Sequence, residues 1–275
     1  MSTITLFINQ KCNRRCTYCD IPSIRKPETV NKELLKTYIP LINKSDFNRV
    51  ILTGGEIGLL DEESIELLMS IQKLITVNTN GLFFKRGYWD KYKDKINRVL
   101  YHPISEIDQD IPVIYYETNI QYLVPVHANN IYLLDSFLKK YCYINFEISP
   151  YDSKLKTDLV LTKKDFNRIL KIILNRKNVT ESTINTFKRL ISLSEDSIIN
   201  TRNLCNNIYK EIDLVKGLIN NCICSYTRSS KIPLTEENFK NINDLVFRTT
   251  NLCNNCLSCI VWFDEIIHNS IKGKK

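Results

Sequence analysis

No stretch of this 275-residue chain approaches the roughly 18 uninterrupted apolar residues of a membrane span, so a transmembrane helix is excluded. No apolar signal segment stands at its start, which argues against secretion and against a disulfide framework. There is no internal repeat and no low-complexity tract. The formal net charge of +8 is spread without a dense basic block. Nucleic acid or an acidic peptide is therefore permitted as a partner and not favoured. Histidine is scarce, with three scattered residues to which no role is assigned, although His102 and His127 follow expected strands. What is present is ordinary for a soluble globular protein: 43% hydrophobic and 25% charged residues. The length suits one α/β domain of about 170–200 residues with a smaller unit beside it. Ten cysteines without a secretory signal point to a reducing cytoplasm and to metal ligation.

Strand and helix signals alternate. Strands are expected over 3–8, 50–53, 74–78, 98–101, 112–116, 120–126 and 143–148. Helices are expected over 33–42, where Pro40 should kink or end the helix, and over 62–73, capped by Asp61. Further helices are expected over 88–95, over 131–140, and over 163–174, the last opened by a Thr162/Asp165 capping box. The aromatic runs at 115–116 and 141–143 read as packing. Alternation of this kind implies parallel pairing with right-handed crossovers.

Directly after the first strand, Cys12, Cys16 and Cys19 stand in the spacing C-x3-C-x2-C. One short loop can thus deliver three thiolates to a [4Fe–4S] cluster and leave its fourth iron without a protein ligand. An open iron can bind and activate a small molecule. A structural zinc site or a redox thiol group is the competing reading, but zinc usually takes two closely spaced ligand pairs. No histidine or fourth cysteine lies nearby to close a tetrahedron. At the end of the second strand, Gly54-Gly55-Glu56 lets the backbone come close to a ligand without a Cβ in the way. At the end of the third stands Thr79-Asn80-Gly81, which is also a common turn sequence.

With these elements in this order, the chain resembles the radical S-adenosylmethionine (radical SAM) superfamily. The resemblance implies a partial (β/α)6 barrel with ligands at the carboxyl ends of its strands. It implies S-adenosylmethionine on the open iron and its reductive cleavage to a 5′-deoxyadenosyl radical that abstracts hydrogen from substrate; an electron donor of flavodoxin or ferredoxin type would supply the electron. It places Tyr18 beside the adenine, and Gly54, Gly55 and the Glu56 carboxylate at the methionine amino group. Asn80 then falls at the ribose or methionine carboxylate, and Ser105 is a weaker candidate of the same sort. Two departures stand out. Ile57 follows Glu56 where the family usually has proline, and 120–130 lacks the glycine-rich adenine contact.

The last hundred residues hold a second set of cysteines. Eleven residues separate Cys205 from Gly217 and four separate Gly217 from Cys222; Cys253, Cys256 and Cys259 follow. This resembles the C-x(9–15)-G-x4-C signature of SPASM and Twitch auxiliary-cluster domains, in which a hairpin with a turn glycine brings distant cysteines together. The resemblance implies one auxiliary [4Fe–4S] cluster on Cys205, Cys222, Cys253 and Cys256, with Cys259 able to replace either of the last two. Zinc on the same thiolates is the alternative. The expected division is a core domain over 1–178 and a Twitch-like domain over 179–275. Cys142, Cys224 and Cys259 are weak candidates for donating a hydrogen atom to a substrate radical.

The leading expectation is a radical SAM enzyme that cross-links, oxidises or epimerises a ribosomally made peptide. Because the first strand begins at residue 3, no amino-terminal peptide-recognition domain is expected. A sugar or aminocyclitol dehydrogenase and a tRNA- or nucleoside-modifying enzyme are the alternatives. An iron–sulfur or zinc-binding module without catalysis competes from another class.

Overall fold

The computed structural model describes residues 3–19, 26–150, 159, 161–193, 211–220 and 232–245. The chain forms two compact units, the first from 1–102, 116–120 and 209–248, the second from 103–115, 121–208 and 249–275. These follow another line than the sequence division at 178/179, because strands late in the chain pair with the first strand.

In the first unit β1 (Thr3–Asn9), β2 (Arg49–Gly54), β3 (Leu74–Thr79) and β4 (Ile96–Tyr101) lie side by side, all parallel. The helices α1 (Lys32–Lys44), α2 (Glu62–Met69), α3 (Leu82–Lys85) and α4 (Tyr88–Tyr92) fall between them in sequence. On the other side of β1, β7 (Glu211–Asp213) pairs in parallel, and β8 (Leu218–Asn220) and β9 (Ile232–Pro233) follow antiparallel. The order in this unit is β4-β3-β2-β1-β7-β8-β9. This is the expected α/β class, a mostly parallel sheet that does not close on itself, as in a partial barrel. β7 and β8 form the hairpin expected around Gly217, which takes φ +66° in its turn, with its N–H on Asp213 O at 2.9 Å. A short helix α8 (Glu236–Lys240), capped by Thr235, follows β9.

The second unit contains β5 (Ile120–Val126) and β6 (Phe146–Pro150), paired in parallel, with α5 (Leu134–Lys140), α6 (Lys163–Leu174) and α7 (Glu181–Leu193). Both halves of the Thr162/Asp165 capping box are present. The segment 178–183 is laced to β6: Phe146 N–H donates to Asn178 O at 2.8 Å, Thr180 N–H to Phe146 O at 3.0 Å, and Ile148 N–H to Thr183 Oγ1 at 3.0 Å.

Several local expectations are corrected. α1 runs through Pro40 to Lys44. Its buried Leu35, Tyr38, Ile39 and Ile42 stabilise it by about 1.5–3 kcal/mol each, more than the ~3 kcal/mol cost of an interior proline. α2 ends at Met69, short of Lys73, and α4 ends at Tyr92. Residues 112–116 are irregular rather than a strand. Tyr115 N–H is satisfied by Tyr122 Oη at 2.6 Å and Tyr115 O by the same hydroxyl at 3.0 Å, which removes the need for a strand partner. Tyr141 packs as expected, whereas Tyr116 and Tyr143 are 79% and 59% exposed. The helix α7 had no counterpart in the sequence reading. Among the described residues no helix is long and apolar enough to cross a membrane.

Candidate cofactor site at the ends of the parallel strands

β1 is buried along its length from Ile4, so the cysteine loop that follows starts from a fixed point. Cys12, Cys16 and Cys19 are half-buried on that loop, and none is in a disulfide. Among the described residues no group of three His, Cys, Asp or Glu side chains is arranged to hold a single metal ion. In chemistry the donor set fits a four-iron cluster, since three soft thiolates come from one loop.

The loop is fastened in its first part. Asn9 Nδ2 donates to Glu56 O at 2.7 Å, Gly55 N–H to Asn9 O at 2.6 Å, and Glu56 N–H to Lys11 O at 2.9 Å. A Cβ at Gly55 would lie 2.0 Å from Lys11 O, and one at Gly54 would lie 2.4 Å from Asn9 O. The glycines do permit a close approach, but what approaches is the chain's own backbone. Gly54 also takes φ +129°, a conformation that side-chain-bearing residues rarely adopt. Further along the loop, Arg14 Nη1 donates to His102 O at 2.8 Å, which ties the loop to the end of β4. Sequence reasoning missed Arg14, because its acceptor is a backbone carbonyl 88 residues away.

The Thr79-Asn80-Gly81 turn meets the same loop. Asn80 Nδ2 donates to Asn13 Oδ1 at 2.8 Å and reaches Cys12 Sγ at 3.6 Å. The Glu56 carboxylate, in a residue 1% exposed, takes the Gly58 N–H at 2.8 Å, the Thr79 hydroxyl at 2.7 Å and the Asn80 N–H at 2.6 Å. Burial pushes its pKa up, while these bonds and one from the Phe83 backbone pull it back. Burial also pushes the Tyr18 hydroxyl well above its ordinary value, with Cys16 and Cys19 acting in the same direction and Arg14 opposing. Gly54, Gly55, Glu56 and Asn80 are thus all brought against the cysteine loop. Ser105 belongs to the second unit, where its N–H and hydroxyl are both on Gln109 Oε1, at 3.1 and 2.9 Å.

Burial and the neighbouring Arg14 charge hold the His102 imidazole down at about 4, so it is neutral at pH 7. The unfolded chain, with a pKa near ~6.5, takes up a proton on acidification that the folded chain refuses. Stability is therefore complete above about pH 6.5 and is lost as pH falls toward 4. With the side chain only half-buried, the loss is about 1–2 kcal/mol. Urea midpoints at pH 7 and pH 5 should differ less in His102→Asn than in the unaltered protein; equal differences would contradict this account.

The sheet also carries a feature the sequence reading did not use. The pairings Glu211–Thr5–Ile51–Thr76–Arg98 form one row across five strands, on a single face of the first unit. Two residues further toward the strand ends, Asp213 and Phe7 are paired, and Asn78 Nδ2 donates to Thr53 Oγ1 at 3.1 Å. The opposite face is apolar, with Ile4, Leu6, Val50, Leu52, Ile75, Val77, Val99 and Ile212 buried. Parallel strands covered on both sides usually read as continuous apolar runs. The threonines alternating along TITLFIN were the available signal.

In the second unit, His127 is 3% exposed, with Nε2 2.9 Å from Glu106 Oε2, and Nδ1 accepts the Asn129 N–H at 3.3 Å. That acceptance places the neutral ring's proton on Nε2, donated to Glu106. Asn130 Nδ2 donates to the same carboxylate oxygen at 3.1 Å. Both ring nitrogens of the histidine are thus satisfied. Cys142 is exposed, while Cys205, Cys222, Cys224, Cys253, Cys256 and Cys259 lie outside the described residues.

The chain thus carries a cysteine triplet after the first strand of a mostly parallel α/β sheet and a glycine turn after the second. Residues 6–127 match the family model of the radical SAM superfamily. Among solved structures, native anSMEcpe with bound AdoMet and Kp18Cys peptide is similar in fold, with a TM-score of 0.57 and 16% identity over 95% of this chain and 82% of that one. SuiB of Streptococcus suis bound to S-adenosylmethionine is similar with a TM-score of 0.52 and 10% identity, over 99% of this chain and 74% of that one. No curated protein matches the sequence.

Proposed function

We propose that the protein is a radical SAM enzyme that modifies a peptide. The observation that carries this reading is the Cys12–Cys19 loop, set directly against the glycine turn and Asn80 at the ends of parallel strands. Cys12, Cys16 and Cys19 would hold a [4Fe–4S] cluster, and Tyr18, the Gly54–Glu56 turn and Asn80 would line S-adenosylmethionine beside it. When bound, the two supply reductive cleavage of the sulfonium and a 5′-deoxyadenosyl radical that takes hydrogen from an unactivated C–H bond. The chain's own part is to hold the loop. Asn9, Glu56 and Arg14 fix its first part, and the buried strands beneath keep those anchors still. Ser105 remains a proposed cofactor contact. That anSMEcpe, similar in fold, holds a peptide together with AdoMet supports a peptide as the substrate class.

An auxiliary [4Fe–4S] cluster on Cys205, Cys222, Cys253 and either Cys256 or Cys259 belongs to the same proposal, in a Twitch-like region over 179–275. The hairpin around Gly217 supports it, since a turn at that position returns the chain toward its start. Cys142 and Cys224 stay candidates for hydrogen donation. A flavodoxin- or ferredoxin-type donor in a reducing cytoplasm would provide electrons. Anaerobic reconstitution should load about eight irons per chain if both clusters are four-iron. Dithionite and S-adenosylmethionine should then yield 5′-deoxyadenosine. Absence of that product sinks the enzyme, and zinc with about four irons sinks only the auxiliary cluster.

A further inference from the structure

An ionised carboxylate offers about four lone-pair sites. At Glu56 three are taken by the Gly58 N–H, the Thr79 hydroxyl and the Asn80 N–H. Most of this side chain's accepting capacity is therefore spent within the chain. The same residue's carbonyl takes Asn9 Nδ2 and its N–H reaches Lys11 O, so Glu56 joins the ends of β2 and β3 to the residues just before Cys12. Gly81 N–H donates to Thr79 Oγ1 at 3.0 Å, closing the turn on itself. The turn then directs the Asn80 amide at Asn13 Oδ1 and Cys12 Sγ, and the Arg14 N–H reaches the same sulfur at 3.5 Å.

We propose that Glu56 and Asn80 are positioning residues of the cysteine loop: the Glu56 carboxylate locks the Thr79–Gly81 turn, and the Asn80 amide so aimed sets the reduction potential of the cluster through its N–H···S contact with Cys12. This rests on the reading of the loop as the cluster site. An N–H donor stabilises negative charge on a ligand sulfur and so favours the reduced cluster, one of the means by which proteins tune these potentials.

The test uses the full chain, reconstituted anaerobically, with the midpoint potential followed by EPR. Asn80→Ala should shift the potential to a more negative value at unchanged iron content. Glu56→Gln, which turns an amide group toward three donors, should shift it in the same direction. The double variant should go no further than Asn80→Ala alone, because the two act through one contact. Were Glu56 the ammonium ligand, Glu56→Gln would weaken S-adenosylmethionine binding by about tenfold or more and leave the potential where it was. That result, or equal potentials for Asn80→Ala and the unaltered protein, overturns the proposal. Failure of the unaltered protein to take up iron would instead overturn the proposed function. The contact is then read in the iron-free chain, where Cys12→Ala should move the Asn80 side-chain amide resonances in 1H–15N spectra; unmoved resonances overturn it.

Discussion

Replacing Cys16 by alanine is expected to remove about four irons per chain and reduce 5′-deoxyadenosine formation to background. Its thiol sits half-buried on a loop whose fastenings are elsewhere, at Asn9, Glu56 and Arg14. Loss of one sulfur there should cost the fold about 0.5 kcal/mol or less, as for surface substitutions generally. Folding and iron content should therefore separate: an unchanged melting temperature with half the iron of the parent. A variant that keeps its full iron complement, measured with the protein concentration, would mean that the triplet does not hold the cluster. Parallel replacement of Cys12 and Cys19 should give the same result, because a two-thiolate remnant leaves two irons of the cube without protein ligands.

Gly55→Ala should have the largest effect on stability. Its Cβ would stand 2.0 Å from Lys11 O and 2.7 Å from Lys11 C, and both atoms are backbone that cannot swing aside. The two segments must part. The bonds from Gly55 N–H to Asn9 O and from Glu56 N–H to Lys11 O are lost with them. Two backbone bonds at about 0.5–1.5 kcal/mol each and overpacking at about 1–3 kcal/mol give a loss of about 2–6 kcal/mol. A domain of this size has about 5–15 kcal/mol in all, so melting should fall by roughly 10 °C or more. Gly87→Ala is the control. Gly87 has φ +74° but nothing within 4 Å of its added Cβ, so only backbone strain of about 1–2 kcal/mol should appear. Equal melting temperatures for the two variants would refute the close contact at Gly55.

The site was legible where its signal was local. Three thiols in eight residues, a paired glycine after a strand and an Asn-Gly turn are all visible as spacing. So were the Asp61 cap, whose carboxylate accepts the Ser64 N–H at 2.9 Å, and the Thr162 capping box. Readings failed where a distant partner decided the outcome. Pro40 carried a helix-breaking signal that four buried neighbours on α1 override. The segment 112–116 had strand composition, but a tyrosine hydroxyl satisfied its backbone. That the Glu56 carboxylate takes the Thr79 hydroxyl and the Asn80 N–H was equally out of view, since those donors lie more than twenty residues along the chain.

By itself the sequence determined the alternation of strands and helices, the loop that presents three thiolates, and the turns at the next two strand ends. Each of these depends on residues within a few positions of one another. Only the tertiary structure decided that β7 joins the sheet beside β1, that Asn9 and Lys11 occupy the space the glycines leave, and that the Glu56 carboxylate faces inward to the chain. Hydrogen bonds and van der Waals contacts act over a few ångströms of space, whatever the separation along the chain, and a linear order of residues does not contain those distances.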